Sequence, residues 1–162
     1  MPNLVLQNSG GRDQNMANLS YGWVTYYFYS GVGSEPTDLL GDIEQDSALH
    51  RAYRDKQETL ASVEVRVIGI SSQSRSEQTR TIADHRIRHR MVVDPECQYA
   101  RLLGLPVFEV AGALHYRRLA LIARDQRIEH VFYPIEQPAR SPDQILAWMR
   151  LHSTGSDSSE SA

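Results

Sequence analysis

The side chains best suited to chemistry in this sequence are one thiol, six histidines and several closely spaced carboxylates and arginines. Cys97 follows Pro95 in DPECQYARLLGL, at the start of a short predicted helix. A helix N-terminus can lower a thiol pKa and favour the nucleophilic thiolate. A small buried cysteine is the plainer reading, and redox work at Cys97 would need a second thiol from another molecule or a small reductant. DHRIRHR, Asp84 to Arg90, gathers His85, His89 and three arginines. Two histidines four apart can share a metal when both sit on one helix face. Here the segment runs into a strand among cationic neighbours, so it reads as a solvated basic edge, with an anionic partner as the second reading. His130, inside RIEHVFYP, shares a strand face with Phe132. SGVGSEP has glycines but neither phosphate-loop spacing nor the following Lys-Ser/Thr, which argues against nucleotide binding. No serine–histidine–acid triad declares itself, and no motif calls for a cofactor or a metal.

These groups must be positioned by a chain of 162 residues, the length of one ordinary domain. With 41% hydrophobic residues it can build a core without disulfides or metals. The net charge of -3 gives no general attraction to nucleic acid or to an anionic membrane. One cysteine excludes an intrachain disulfide and fits a reducing cytosol. No apolar run is long enough to span a bilayer, and the N-terminus lacks a basic region followed by an apolar one. The expected setting is therefore cytoplasmic.

Residues 1–20 are rich in Asn, Gln, Gly and Ser and read as an irregular arm, with a short strand at Asn3–Leu6 as an option. GWVTYYFYS is dense in aromatic and β-branched residues and predicts a buried strand. GVGSEPTD follows as a loop, then a helix from about Ile43 to Leu60 with Asp42 as its cap. VEVRVIGIS is a second strand. SQSRSEQTRTIADHRI is a helix capped by Ser74, RMVVDPE a short strand, and CQYARLLGL a short helix closed by Gly104. RRLALIA and RIEHVFYP, joined by RDQ, predict a hairpin. SPDQILAWMRLH predicts a helix with Ser141 as N-cap and Pro142 at the first position. Residues 153–162 form a polar acidic tail of the kind that stays disordered. Strand–helix alternation followed by a hairpin implies an α/β domain over residues 21–152, a central mixed sheet with helices on both faces. That is the thioredoxin-like arrangement.

VRVIGISSQS, VVDPECQYARLLGLPVFEV and LHYRRLALIARDQRIEHVFYPIEQPARSPDQILAWMR resemble the redoxin branch of the peroxiredoxins, the alkyl hydroperoxide reductase and thiol-specific antioxidant family. The resemblance spans about Trp23 to Arg150 and is weakest between Gly31 and Leu60. In the family, that weak region holds the peroxidatic cysteine ahead of an FRD-type helix, often with a second cysteine five residues later. Anchored on Tyr53-Arg54-Asp55, the first position falls on Asp46 and the second on Arg51. No cysteine precedes Cys97, and the family's Thr-x-x-Cys motif is missing. Peroxide reduction needs a thiolate that becomes a sulfenic acid. A carboxylate keeps the charge without the redox chemistry.

The resemblance also implies that Arg118 in HYRRLALI matches the family arginine that stabilises the thiolate. An Asp46–Arg118 pair would hold Asp46 ionised against desolvation. Ser47, Arg51, His115 and Arg117 are then candidate ligand-binding neighbours. The bland alternative for Asp46 is a first-turn carboxylate favoured by the helix dipole. Three functions follow as expectations. The chain binds, or acts by acid–base chemistry on, a small polar molecule through Asp46 and Arg118. It is a non-catalytic binding or scaffold protein. Or it is a one-cysteine peroxidase or sensor through Cys97. The resemblance further implies a homodimer, and a cis proline in GLP at Pro106 is an open option.

Overall fold

A computed structural model of the chain describes residues 1–32 and 40–160. The loop expected after the first core strand lies mostly outside these residues.

Among the described residues, seven strands form one sheet in the order β2 (Asp13–Asn15), β1 (Val5–Asn8), β5 (Arg90–Val93), β4 (Val65–Ser71), β3 (Trp23–Phe28), β8 (Leu119–Arg124), β9 (Arg127–Phe132). Its centre is the parallel trio β3 (Trp23–Phe28), β4 (Val65–Ser71) and β5 (Arg90–Val93). β8 (Leu119–Arg124) and β9 (Arg127–Phe132) extend it as the expected hairpin, antiparallel to β3 and closed by Asp125-Gln126 at positive φ. The crossover elements α2 (Leu40–Ser62) and α3 (Arg75–His85) link the parallel strands. α3 begins with a capping box: the Ser74 hydroxyl accepts from the Glu77 amide, and the Glu77 carboxylate accepts from the Ser74 amide. α4 (Gln98–Leu103) ends at Gly104, whose φ of 69° suits a residue without Cβ.

Other elements differ from the sequence reading. Residues 1–20 are not an irregular arm. β1 (Val5–Asn8) and β2 (Asp13–Asn15) form a hairpin on the edge of β5, followed by the single-turn α1 (Met16–Leu19). A second hairpin, β6 (Val107–Val110) with β7 (Ala113–Tyr116), stands apart from the main sheet. Ser141 has helical dihedrals rather than a cap's, because a 3-10 turn over Pro138–Arg140 runs straight into α5 (Ser141–Glu160). Its hydroxyl instead meets the Tyr53 hydroxyl at 2.8 Å. α5 continues past His152, where its end was expected. Asp42 lies inside the first turn of α2, not at its cap. The cis peptide among the described residues is Tyr133–Pro134, not one at Pro106. No described helix is long and apolar enough to cross a membrane.

Strand alternation splits the core in two. Val24, Tyr26 and Phe28 of β3 face one side with Ile68, Ile70, Val92, Tyr99 and Tyr116. Tyr27 and Tyr29 face the other, against Leu49, Tyr53 and Leu60 of α2 and Ile145 and Met149 of α5. At the centre of this second face, Gly69 is paired with Tyr27 on one side and Met91 on the other. A Cβ at Gly69 would stand 2.5 Å from Met91 Sδ and 2.9 Å from Tyr27 Cζ. Glycine there makes room for the Tyr27 hydroxyl, on which a buried polar cluster depends.

Candidate functional site

Asp46 lies in the second turn of α2, beside the point where β3 ends. The spacing Asp46, Leu49, His50, Tyr53 puts all four on one helical stripe, and all four are buried. The stripe faces the sheet, so it carries a carboxylate to the C-terminal end of β3. There the chain turns away through Ser30 and Gly31 and leaves its amides free to donate.

Four donors meet the Asp46 carboxylate. Its Oδ1 accepts from the Ser30 amide at 3.2 Å and from Arg118 Nη1 at 3.2 Å. Its Oδ2 accepts from the Ser30 hydroxyl at 2.6 Å and from the Gly31 amide at 3.0 Å. Burial pushes this carboxyl above its ordinary range. The Ser30 hydroxyl, the Arg118 charge and the two amides pull it back down. Arg118 stands at the entry to β8, and its guanidinium is shared. Nη2 donates to Asp42 Oδ1 at 2.8 Å, one helical turn before Asp46. The Asp42 side chain is 27% exposed against 9% for Asp46, so the solvent-facing end of the network is at Asp42.

The other sequence-predicted residues divide. His115 joins the network at one remove, with Nδ1 2.8 Å from the Ser30 carbonyl oxygen. Ser47 is turned away and meets His85 Nε2 at 2.9 Å. Arg51 is exposed and lines a surface hollow with Lys56 and Ala139. Five residues along a helix is about 140° of rotation, too far to share the stripe of Asp46. Arg117 is also exposed and lies over the Phe108 ring, 5.2 Å from its centroid. Neighbouring residues at a strand entry point to opposite sides, so only one arginine of the pair reaches α2. The residues missed were Ser30, Gly31 and Asp42. Ser30 and Gly31 were readable as the turn after a strand, but nothing in their types marks them as carboxylate donors.

Cys97 is fully buried in the core on the other face of the sheet. It holds a left-handed φ of 50° ahead of α4, and its side chain does not cap that helix. Burial, with the nearby Asp94 charge, pushes the thiol up to about 11. That is the reverse of what a reactive cysteine requires.

The basic segment also departs from expectation. His89 is not on a solvated edge: it is 7% exposed, and its Nε2 lies 2.8 Å from the Tyr27 hydroxyl. The same hydroxyl meets His50 Nδ1 at 2.9 Å. Burial lowers His89 to about 4 and holds His50 well below the ordinary histidine range. Strand alternation explains the inward turn, because His89 precedes Arg90 and Met91 at the entry to β5. His130 and Phe132 are neighbours as predicted, with ring centroids 4.7 Å apart.

Residues 2–146 match a family model described as Redoxin. No curated protein matches the chain. Among solved structures, peroxidoxin BcpB from Mycobacterium tuberculosis is 20% identical, covers 92% of each chain and superposes with a TM-score of 0.76. The bacterioferritin comigratory protein of Xanthomonas campestris, described for its alkyl peroxide reduction activity, is 17% identical over 92% of this chain and 91% of its own, with a TM-score of 0.74. Reduced Prx3 from Vibrio vulnificus is 19% identical over 93% of this chain and 95% of its own, also at 0.74. At these identities the likeness speaks for the fold, and the fold is the thioredoxin-like, peroxiredoxin-type sheet read from the sequence.

Proposed function

The chain belongs to the redoxin family, and we propose that it has left that family's thiol chemistry and acts by binding, as a non-catalytic recognition or scaffold protein. The observation that supports this is the saturation of Asp46. A buried carboxylate that already accepts from four donors has no free lone pair aimed at a substrate proton, so it is a poor general base. It also cannot form a sulfenic acid, and Cys97 is buried with a raised pKa. In this reading the position inherited from the peroxidatic cysteine is a lock that ties α2 to β3 and β8.

A second reading, binding of a small polar molecule at the inherited position, is favoured by the exposed end of the network. Asp42 holds Arg118 through one charged contact at its solvent side, and a carboxylate ligand is the kind of group that can exchange with it. A homodimer belongs to both readings. The exposed Val131 on edge strand β9 and Tyr133 just beyond it support self-association.

The test is peroxide consumption by the purified full chain with a thiol reductant, using hydrogen peroxide and an alkyl hydroperoxide. The expected rate equals that of the reductant alone. Turnover that disappears in Cys97→Ser would overturn the non-catalytic reading. Acetate titrated against the chain decides between the two readings, since binding lost in Arg118→Met favours the second.

A further inference from the structure

The end of the sheet opposite Asp46 carries a groove with a different chemistry. β5 pairs with β4 only from Ile68 onward, opposite Arg90. The first residues of β4, Val65 to Val67, therefore have no β5 partner beside them. An open groove of about 660 Å³ lies at this notch. Arg66 of β4, Arg88 and His89 ahead of β5, Arg90 at its start and Gln57 of α2 all line it.

We propose that this groove binds a small phosphate-bearing molecule. Three arginines line it in a chain whose net charge is -3. Among the described residues, no carboxylate forms an ion pair with any of the three, although Glu64 contributes to the lining. Arg66 donates to the backbone oxygens of Leu19 and Tyr21, and Arg90 to the side-chain oxygen of Gln14. These neutral acceptors orient two guanidinium groups without cancelling their charge. Arg88 is exposed. Planar guanidinium forks match the oxygens of a phosphate better than a point cation does. The volume falls within the range of small-molecule sites and exceeds what a bare phosphate fills. Trp23, Val65 and Val67 give the rest of the ligand an apolar wall.

His89 bounds the groove on its buried side. It is 7% exposed and lines the groove, and its Nδ1 has no hydrogen-bond partner among the described residues. Its other nitrogen is fixed on Tyr27, which sets the ring's orientation. Nδ1 is itself enclosed by the chain, so a ligand in the groove meets the arginines rather than this atom.

Trp23 makes the groove observable. Its ring is 5.7 Å from that of Trp148 and 5.1 Å from the Arg124 guanidinium. Tryptophan fluorescence of the full chain is titrated with pyrophosphate at low salt. The expected result is a saturable change whose apparent Kd weakens about tenfold in Arg88→Gln and again in Arg90→Gln, and weakens with added salt. Arg101→Gln, on the exposed face of α4, is expected to bind as the wild type does. Arg88 is exposed, so its variant stays decisive if Arg90→Gln loosens β5. Absence of saturable binding overturns the proposal, and so does equal affinity in the wild type and the Arg88 variant, or equal weakening by Arg101→Gln. The groove does not involve Asp46. Peroxide turnover with intact pyrophosphate binding would therefore sink the non-catalytic reading and leave the groove standing.

Discussion

One guanidinium, that of Arg118, joins two carboxylates of the same helix: Nη1 lies 3.2 Å from Asp46 and Nη2 2.8 Å from Asp42. The contact crosses from the entry of β8 to the first two turns of α2. It fastens the N-terminal end of that helix to the sheet. Because Asp46 is buried and Asp42 is not, the two halves of the contact differ in energetic weight.

Asp46→Ala is expected to destabilise the fold by about 3–5 kcal/mol, since it leaves three donors without an acceptor and Arg118 with Asp42 alone. Asp46→Asn keeps one acceptor oxygen and is expected to cost less, about 1–3 kcal/mol. Asp42→Ala acts at the solvent side and is expected to cost about 1 kcal/mol or less. Urea denaturation of the three variants measures the order. If Asp42→Ala proved the most damaging, the buried half of the network would not be its anchor.

Asp46→Cys tests the proposal that this position is the one inherited from a peroxidatic cysteine. A sulfur there would sit among the Ser30 and Gly31 amides and the Arg118 charge, all of which favour the anion. The expected outcome is a sulfenic acid formed with stoichiometric hydrogen peroxide and trapped by dimedone, with Cys97 unlabelled. If no adduct formed on a folded variant, the surroundings of Asp46 would not be those of a peroxidatic thiolate.

Cys97 is expected to be inert in the native chain. At a pKa near 11 almost none of it is thiolate at neutral pH, and core packing shields it. Ellman's reagent should react with the urea-unfolded protein at once and with the folded protein only as fast as it opens. Rapid native labelling would restore the one-cysteine redox reading.

Much of this architecture was legible because local chemistry and tertiary context agree. Ser74 and Glu77 form their own capping box, Gly104 alone satisfies its turn, and the β8–β9 pair follows from apolar runs around RDQ. The β6–β7 hairpin was hidden because its strands are half-exposed and its Ala111-Gly112 turn lacks the usual Asn-Gly or Asp-Gly signature. The Asp46–Arg118 contact was accessible only through family resemblance, since the two residues are 72 positions apart. His89 was misjudged, and His50 passed over, for another reason. Their burial depends on the Tyr27 hydroxyl lying between them, in the space left by Gly69. A pattern of polar residues does not show that a distant strand supplies their partner. His50 did leave one trace, its place on the buried stripe with Asp46, Leu49 and Tyr53.

Those two histidines set how the protein responds to acid. His89 is held neutral in the fold to about pH 4, whereas an unfolded histidine protonates near 6.5. Above pH 6.5 both states are neutral and the group contributes nothing to the pH dependence. As pH falls through 6.5 the unfolded chain takes up a proton that the folded chain refuses, so stability declines until pH 4. The full loss from His89 is about 3 kcal/mol, and His50, shifted the same way, adds to it. Asp46 works in the opposite sense. Its raised pKa lets the folded state bind a proton sooner than the unfolded one, which offsets part of the loss at the acid end. Among the titratable neighbours on other elements, Tyr27, Tyr29 and Tyr53 stay protonated throughout, their pKa values driven up by burial. The nearby His85, with its ring centroid 5.0 Å from that of His50, lowers His50 further, as does His89. Urea denaturation from about pH 7 to about pH 4.5 reads the slope, which is the difference in bound protons. His89→Phe removes one of these protons and leaves the Tyr27 hydroxyl its bond to His50. Its stability is therefore expected to fall less steeply between pH 6.5 and 4.5 than the wild type's, whatever its value at pH 7. Identical slopes would mean that His89 is not buried neutral against Tyr27, and the placement of the segment leading into β5 would be wrong.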